Sequence, residues 1–279
     1  MKTGRVVVVL GLIAAAGLLA ACDRFAPPPA PTSTAAPPTL VTVMPQVPTL
    51  DETSPPGVND PDAAAAPSGG AVPLRVAFLA ADGLTLHGLY YPQPEASPGV
   101  LLLHMLGRTK EDWENIAGAM QAAGFVVLAM DLRGHGDTGG EVDWSRARQD
   151  TLTMLAYLRE LPNVDPARVG IVGASIGANL ALNGCADDPA CRAAVLLSPG
   201  LDYRGVTTED AIAALGAKPL LLVASEDDAY AVQTVRTLDG LAQGERQLQV
   251  YQNAGHGTGM FNVELGLTDL IIGWLQTQL

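Results

Sequence analysis

Ser175 stands at the centre of Gly173-Ala174-Ser175-Ile176-Gly177, after the apolar run 168–172 and before the helix-forming run 178–182. Strand, sharp turn, helix is the setting in which a serine hydroxyl is held out at a strand's carboxyl end, within reach of an incoming carbonyl. Backbone that turns so tightly tolerates only glycine two residues either side of the serine. The hydroxyl becomes a nucleophile when a base takes its proton and a carboxylate holds that base in the right tautomer. For a serine presented this way, acid and base both come later in the chain, the acid first. Of the histidines His87, His104, His135 and His256, only His256 follows, in Ala254-Gly255-His256-Gly257 just after an apolar run. Between serine and histidine, Ser225-Glu226-Asp227-Asp228 offers carboxylates at the end of the run 219–224. Spacing alone leaves Asp227 and Asp228 both open. Charge developing on a carbonyl oxygen needs donors placed in advance. The backbone N–H of Ile176 is expected to be one. The loop 104–107 is expected to supply the other, with Leu106 taken over Met105. Side chains around Met105, Trp144, Tyr203 and Tyr230 would then border the site.

The elements that must position these residues can be read from apolar periodicity. Segments 74–78 and 84–90 flank Asp82-Gly83, a hairpin turn signal. The continuous apolar runs at 100–104 and 125–130 suit strands buried on both faces, 168–172, 193–197 and 219–224 read as further short apolar strands, and 247–251 as a final strand. Helical patterns cover 111–123, 145–159, a stretch from 176, 231–242 and 263–275. Strands alternating with helices predict an α/β domain, with a mostly parallel sheet and helices on both faces. The loops 104–107, 225–228 and 254–257 all follow strands, where an open α/β sheet places its ligands.

The amino terminus has a different character. Lys2 and Arg5 precede the apolar run 6–19, which ends in Leu19-Ala20-Ala21-Cys22. This is a secretory signal pattern, and its ending resembles the bacterial lipobox. By that resemblance 1–22 is a lipoprotein signal peptide and Cys22 the lipidated first residue of the mature protein. The protein is then expected to be exported and lipid-anchored to the outer face of a bacterial cell membrane. Residues 23–72 are rich in Pro, Ala and Thr with few large apolar groups, so they read as an extended, disordered tether. Residues 73–279 remain as one catalytic domain. A net charge of −13 gives no electrostatic basis for binding nucleic acid. Cys185 and Cys191 close a short polar turn, as a disulfide or as two free thiols. No metal site, cofactor or obligate partner subunit is called for, so a monomer is expected.

From about Leu74 to Leu279 the chain resembles the α/β-hydrolase superfamily, nearest its small dienelactone-hydrolase-like and esterase-like members. The resemblance rests on Asp82-Gly83, His104-Met105-Leu106-Gly107, Asp131-Leu132-Arg133-Gly134-His135-Gly136-Asp137, the serine turn, the 225–228 turn and Gly255-His256-Gly257. It implies the α/β-hydrolase fold and a Ser175–Asp228–His256 triad, because the family's Gly-x-x-Asp turn aligns with Asp228. It makes Arg133 and His135 structural. Two departures stand out. The loop after the early strand reads His-Met-Leu-Gly rather than His-Gly, and the nucleophile is serine where dienelactone hydrolases use cysteine. Only a short insertion, 198–218, stands where many members carry a lid, which implies a minimal lid and a shallow, open site. The implied activity is hydrolysis of small-molecule esters with small or projecting acyl groups. The alternatives are a peptidase or amidase with the same triad, and a non-catalytic binding lipoprotein on the same fold.

Overall fold

The structure is a computed structural model that describes residues 72–279. The expected signal peptide, the lipidation site Cys22 and the tether up to residue 71 lie outside the described residues.

The domain opens with an antiparallel hairpin, β1 (Leu74–Leu79) and β2 (Thr85–Tyr91). Its turn is closed by Asp82, which accepts the N–H of Leu84 at 3.2 Å. Next come β3 (Ser97–Leu103), α1 (Glu114–Ala122), β4 (Val126–Met130), α2 (Trp144–Glu160), β5 (Val164–Ala174), α3 (Ile176–Asp187) and β6 (Cys191–Leu197). A two-strand ribbon, β7 (Asp202–Tyr203) and β8 (Val206–Thr207), leads into the short α4 (Glu209–Leu215). The chain closes with β9 (Leu220–Ser225), α5 (Ala229–Leu241), β10 (Arg246–Tyr251) and α6 (Leu267–Gln278).

All strands but the ribbon's form one eight-stranded sheet in the order β1-β2-β4-β3-β5-β6-β9-β10. Pairing is parallel from β4 to β10 and antiparallel only where β2 joins β1 and β4. The two-residue period of a strand divides its side chains between the faces. Leu101, Leu103, Ile171, Leu196 and Leu222 enter one core with α2, α3 and α5. Val100, Leu102, Val172, Val195 and Leu221 enter the other with α1 and α6. This is the expected mostly parallel sheet between two helical layers. From β3 the chain runs outward to β4 and then returns to the other side of β3 as β5. The connections therefore diverge at the carboxyl ends of β3 and β5, which leaves a crevice there.

Several expected boundaries shift. The helix expected at 111–123 is a 3-10 turn, Lys110–Trp113, followed by α1. That turn is tied down by Lys110, whose ammonium bonds Asp131 at 2.7 Å and Asp137 at 2.9 Å. The closing helix expected at 263–275 begins later, at Leu267, after a 3-10 turn at Gly257–Asn262. Val263 and Leu265 extend its apolar pattern but are 55% and 84% exposed, so they pack nothing. The strand expected at 168–172 runs from Val164 to Ala174, because its early residues also pair with β3. The ribbon and α4 were not anticipated at all.

Cys185 and Cys191 form a disulfide with Cα atoms 5.2 Å apart, joining the end of α3 to the start of β6. The loop it closes is short, so the loop-entropy account gives a contribution of only about 2 kcal/mol.

Candidate active site

Ser175 links β5 to α3 with φ 54° and ψ −120°, a strained conformation for a residue with a side chain. Its N–H is fixed by the carbonyl of Leu197 on β6 at 2.8 Å. The two flanking glycines are required by close approach of backbone. A Cβ on Gly173 would stand 2.1 Å from the carbonyl oxygen of Gly177. A Cβ on Gly177 would stand 2.4 and 2.5 Å from the carbonyl oxygens of Leu103 and His104. The serine turn is thus pressed directly against the loop that follows β3. Residues 176–185 are buried all round, so the helix behind the serine sits inside the domain. Ile176 is the first residue of α3, and its N–H has no intrahelical acceptor.

The acid and base meet as expected. His256 Nδ1 lies 2.5 Å from Asp228 Oδ2. A carboxylate there holds the proton on Nδ1 and leaves the Nε2 lone pair free to accept one. Asp228 also caps α5, its Oδ1 accepting the N–H of Ala231 at 3.2 Å. The two carboxylates that spacing left open differ in what each binds. Asp227 turns away from the imidazole and accepts the N–H of Gly255 at 3.2 Å, together with the hydroxyl of Ser225. The Ser225 bond holds the Asp227 carboxyl below the usual carboxylate range, with help from the Gly255 amide. Ser225 Oγ accepts the N–H of Ala254 at 2.8 Å, so this pair anchors the histidine loop. Glu226 points outward to Arg236 at 2.9 Å.

The far side of the histidine loop is held by Ser198, whose Oγ accepts the N–H of Gly257 at 2.9 Å. A Cβ on Gly257 would lie 3.6 Å from Cβ of Ala174 and 2.7 Å from Sδ of Met105. The loop carrying His256 is therefore packed onto the serine turn and onto the loop after β3. No direct hydrogen bond joins Ser175 to His256. The Tyr203 ring stands beside the imidazole, with centroids 6.5 Å apart. Long or misdirected catalytic hydrogen bonds are usual before substrate binds. The His256 side chain is 41% exposed and that of Asp228 16%, while Ser175 is buried, so the site meets solvent on the histidine side.

The loop 104–107 is ordered from within. His104 is fully buried, and its Nε2 accepts the N–H of Leu132 at 2.9 Å. An amide N–H can only donate, so the proton must sit on Nδ1, which donates to the carbonyl of Met105 at 2.8 Å. Burial pulls its pKa down to about 4, against the opposing pull of that carbonyl, and the ring stays neutral. Met105 is half-buried against the histidine loop and Leu106 is exposed at the turn. Arg133 donates to Asp150 at 2.9 and 2.8 Å and to Asp82 at 2.8 Å. The His135 ring packs between His104 and Trp144, at 5.1 and 5.9 Å. Both hold the loop beside the site and neither reaches Ser175, in keeping with their expected structural part.

Asn179 was invisible as a site residue in the sequence. Buried on α3, it donates to the carbonyls of Gly200 and Val206 at 2.9 and 2.7 Å and accepts the N–H of Gly200 at 3.0 Å. Asn183, one turn on, donates to Thr207 at 2.8 Å. Together they hang the ribbon, and with it Tyr203, over the serine. A polar side chain one turn after a nucleophile, inside an otherwise apolar helix, was the available signal. Behind the ribbon lies a cleft of about 460 Å³ lined by Trp144, Arg148, Asn183 and Arg204. Among the described residues, no group of His, Cys, Asp or Glu side chains is arranged to hold a metal ion.

Residues 100–219 match the alpha/beta hydrolase family. The thiohydrolase aneE of Aspergillus aculeatus is 28% identical over 160 residues, which are 54% of this chain and 50% of that protein. The chain spans about half the length of the curated relatives it matches. Among solved structures, the alpha/beta hydrolase GrgF from Penicillium superposes with a TM-score of 0.67 at 15% identity, covering 75% of this chain and 99% of that one. The esterase Pf2001 of Pyrococcus furiosus gives 0.63 at 17% identity, covering 74% and 90%. The domain has the α/β-hydrolase fold.

Proposed function

We propose that the protein is a serine hydrolase that cleaves carboxylic esters of small or projecting acyl groups through an acyl-enzyme on Ser175. One observation carries this reading: the His256–Asp228 contact of 2.5 Å, on a loop packed against the strained serine turn. His256 Nε2 takes the Ser175 proton as Oγ bonds to the ester carbonyl. The N–H groups of Ile176 and Leu106 hold the oxyanion, with the N-terminal end of α3 favouring negative charge there. The alcohol leaves with the proton from His256. Water then attacks the acyl-enzyme by the same path in reverse order. The open histidine side and, among the described residues, a cover no larger than the ribbon and α4 suit small or projecting acyl groups. Relatives named as thiohydrolase and esterase support acyl transfer to water. The lipobox-like Leu19-Ala20-Ala21-Cys22 supports a lipid anchor on the outer face of the cell membrane.

Release of p-nitrophenol from p-nitrophenyl acetate tests the reading. Ser175→Ala is expected to lower kcat by roughly 10⁴-fold or more. A Ser175→Ala protein that folds and still turns over at the wild-type rate would remove the serine from the mechanism.

A further inference from the structure

The ribbon is built with more care than a connection needs. Its turn residues Arg204 and Gly205 have φ of 57° and 85°. That is the pattern of a tight two-residue hairpin, in which Asn or Gly is the usual first residue. The ribbon is suspended from α3 by Asn179 and Asn183 and gripped from α5 by Tyr230. The Tyr230 hydroxyl accepts the N–H of Asp202 at 2.9 Å and donates to its carbonyl at 3.2 Å. These contacts converge on one side chain, Tyr203. Its ring lies against the backbone of Gly200, where a Cβ would meet ring carbons at 2.7–2.8 Å. It packs edge-on to Tyr230 at 5.6 Å and stands nearly perpendicular to the His256 imidazole at 6.5 Å.

The sheet order decides what the Tyr203 hydroxyl can do. The loop after β3 and the loop after β6 lie on opposite sides of β5, the strand that carries Ser175. The oxyanion donors come from the β3 side and the start of α3. Tyr203 comes from the β6 side, which it shares with His256. That is the side on which the leaving group must meet the imidazole to take its proton. Burial, and then the negative charge of Asp228, push the phenol up to about 12. Tyr203 is therefore a hydrogen-bond donor and not a base at neutral pH.

We propose that Tyr203 is a catalytic residue whose hydroxyl donates a hydrogen bond to the departing oxygen of the ester, and that this assistance goes to oxyesters of unactivated alcohols and not to thioesters. The inference rests on the serine-hydrolase reading. In the step concerned, the carbon–oxygen bond of the tetrahedral intermediate breaks and its electron pair goes to the leaving oxygen. That oxygen receives the proton His256 took from Ser175, and Tyr203 keeps its own. An alkoxide is a strong base and a strong acceptor, so a fixed donor helps it most. A p-nitrophenolate is already stable, and a thiolate sulfur is a weak acceptor with a low proton affinity.

The test compares wild type with Tyr203→Phe, which keeps the ring and its packing. The substrates are ethyl, p-nitrophenyl and S-ethyl esters of one acyl group, and kcat/KM is read because it reports acylation. The ethyl ester is expected to lose roughly 10- to 100-fold, and the other two less than about 3-fold. Equal losses on all three would make Tyr203 structural, and an undiminished rate on the ethyl ester would remove it from the step. Either result overturns the inference while leaving an active serine hydrolase. A wild-type protein inactive on all three esters and unlabelled by a fluorophosphonate would sink the hydrolase reading and this inference with it.

Discussion

Exchanging carboxylate for amide at Asp228 and at Asp227, neighbours in sequence, should separate them by orders of magnitude. In Asp228→Asn the amide oxygen can still accept the Ala231 N–H, now 3.2 Å from Oδ1, so the α5 cap survives. The amide nitrogen then faces His256 Nδ1, at the position Oδ2 occupies 2.5 Å away. Two donors cannot face each other, so the imidazole must carry its proton on Nε2. A histidine in that tautomer cannot take the serine proton, and the loss in kcat should approach 10⁴-fold, about 5 kcal/mol of transition-state stabilisation. In Asp227→Asn the amide oxygen can accept from both Gly255 and Ser225, as the carboxylate does. Its kcat should stay within about 3-fold of wild type, at a stability cost of roughly 1 kcal/mol or less. The assay is burst and steady-state release of p-nitrophenol, with urea unfolding to check that both variants fold. Equal losses for the two variants would refute the division of labour between them. So would an Asp228→Asn rate within about tenfold of wild type.

Other consequences follow from the supports of the site. His104 is buried neutral with its pKa near 4, so the unfolded chain binds the extra proton first as pH falls. Stability is full above the unfolded value and drops through the window down to the folded one, by about 2 kcal/mol between pH 7.5 and pH 5. Urea midpoints across that window should show this slope in wild type and lose it in His104→Asn. Asn179→Ala leaves the N–H of Gly200 and the carbonyl of Val206 without their Asn179 partner, while the Gly200 carbonyl keeps the Thr208 hydroxyl. It should cost roughly 3 kcal/mol and lower kcat/KM by displacing Tyr203, read by urea unfolding and ester hydrolysis on the same preparation. Cys22→Ser should release the protein from the membrane fraction and abolish a lipid-sized mass increment, measured by fractionation and intact mass of the wild type alongside.

What the sequence made legible was what sterics and periodicity impose on the backbone. Gly173 and Gly177 had to be glycine because carbonyls lie within 2.5 Å of any added Cβ, and that demand appears directly as residue type. The inner strands were readable because both of their faces are buried. The acid was not readable from spacing. Asp227 and Asp228 differ by one position, and what separates them is that Asp228, capping α5, also meets His256. The ribbon escaped because strands of two residues have no period and Arg204 occupies a turn position where Asn or Gly is usual. Asn179 escaped because its partners are backbone groups 21 and 27 residues away, on a segment with no pattern of its own. The closing helix begins later than its apolar pattern because Val263 and Leu265, apolar in type, are exposed.

The central claim is that Ser175 is an activated nucleophile, and fluorophosphonate labelling followed by mass mapping tests it most directly. A single adduct on Ser175, absent in Ser175→Ala and strongly slowed in His256→Ala, is the expected result. A folded wild-type protein that takes up no label, or takes it up elsewhere, would contradict the claim and leave a binding protein on a hydrolase fold.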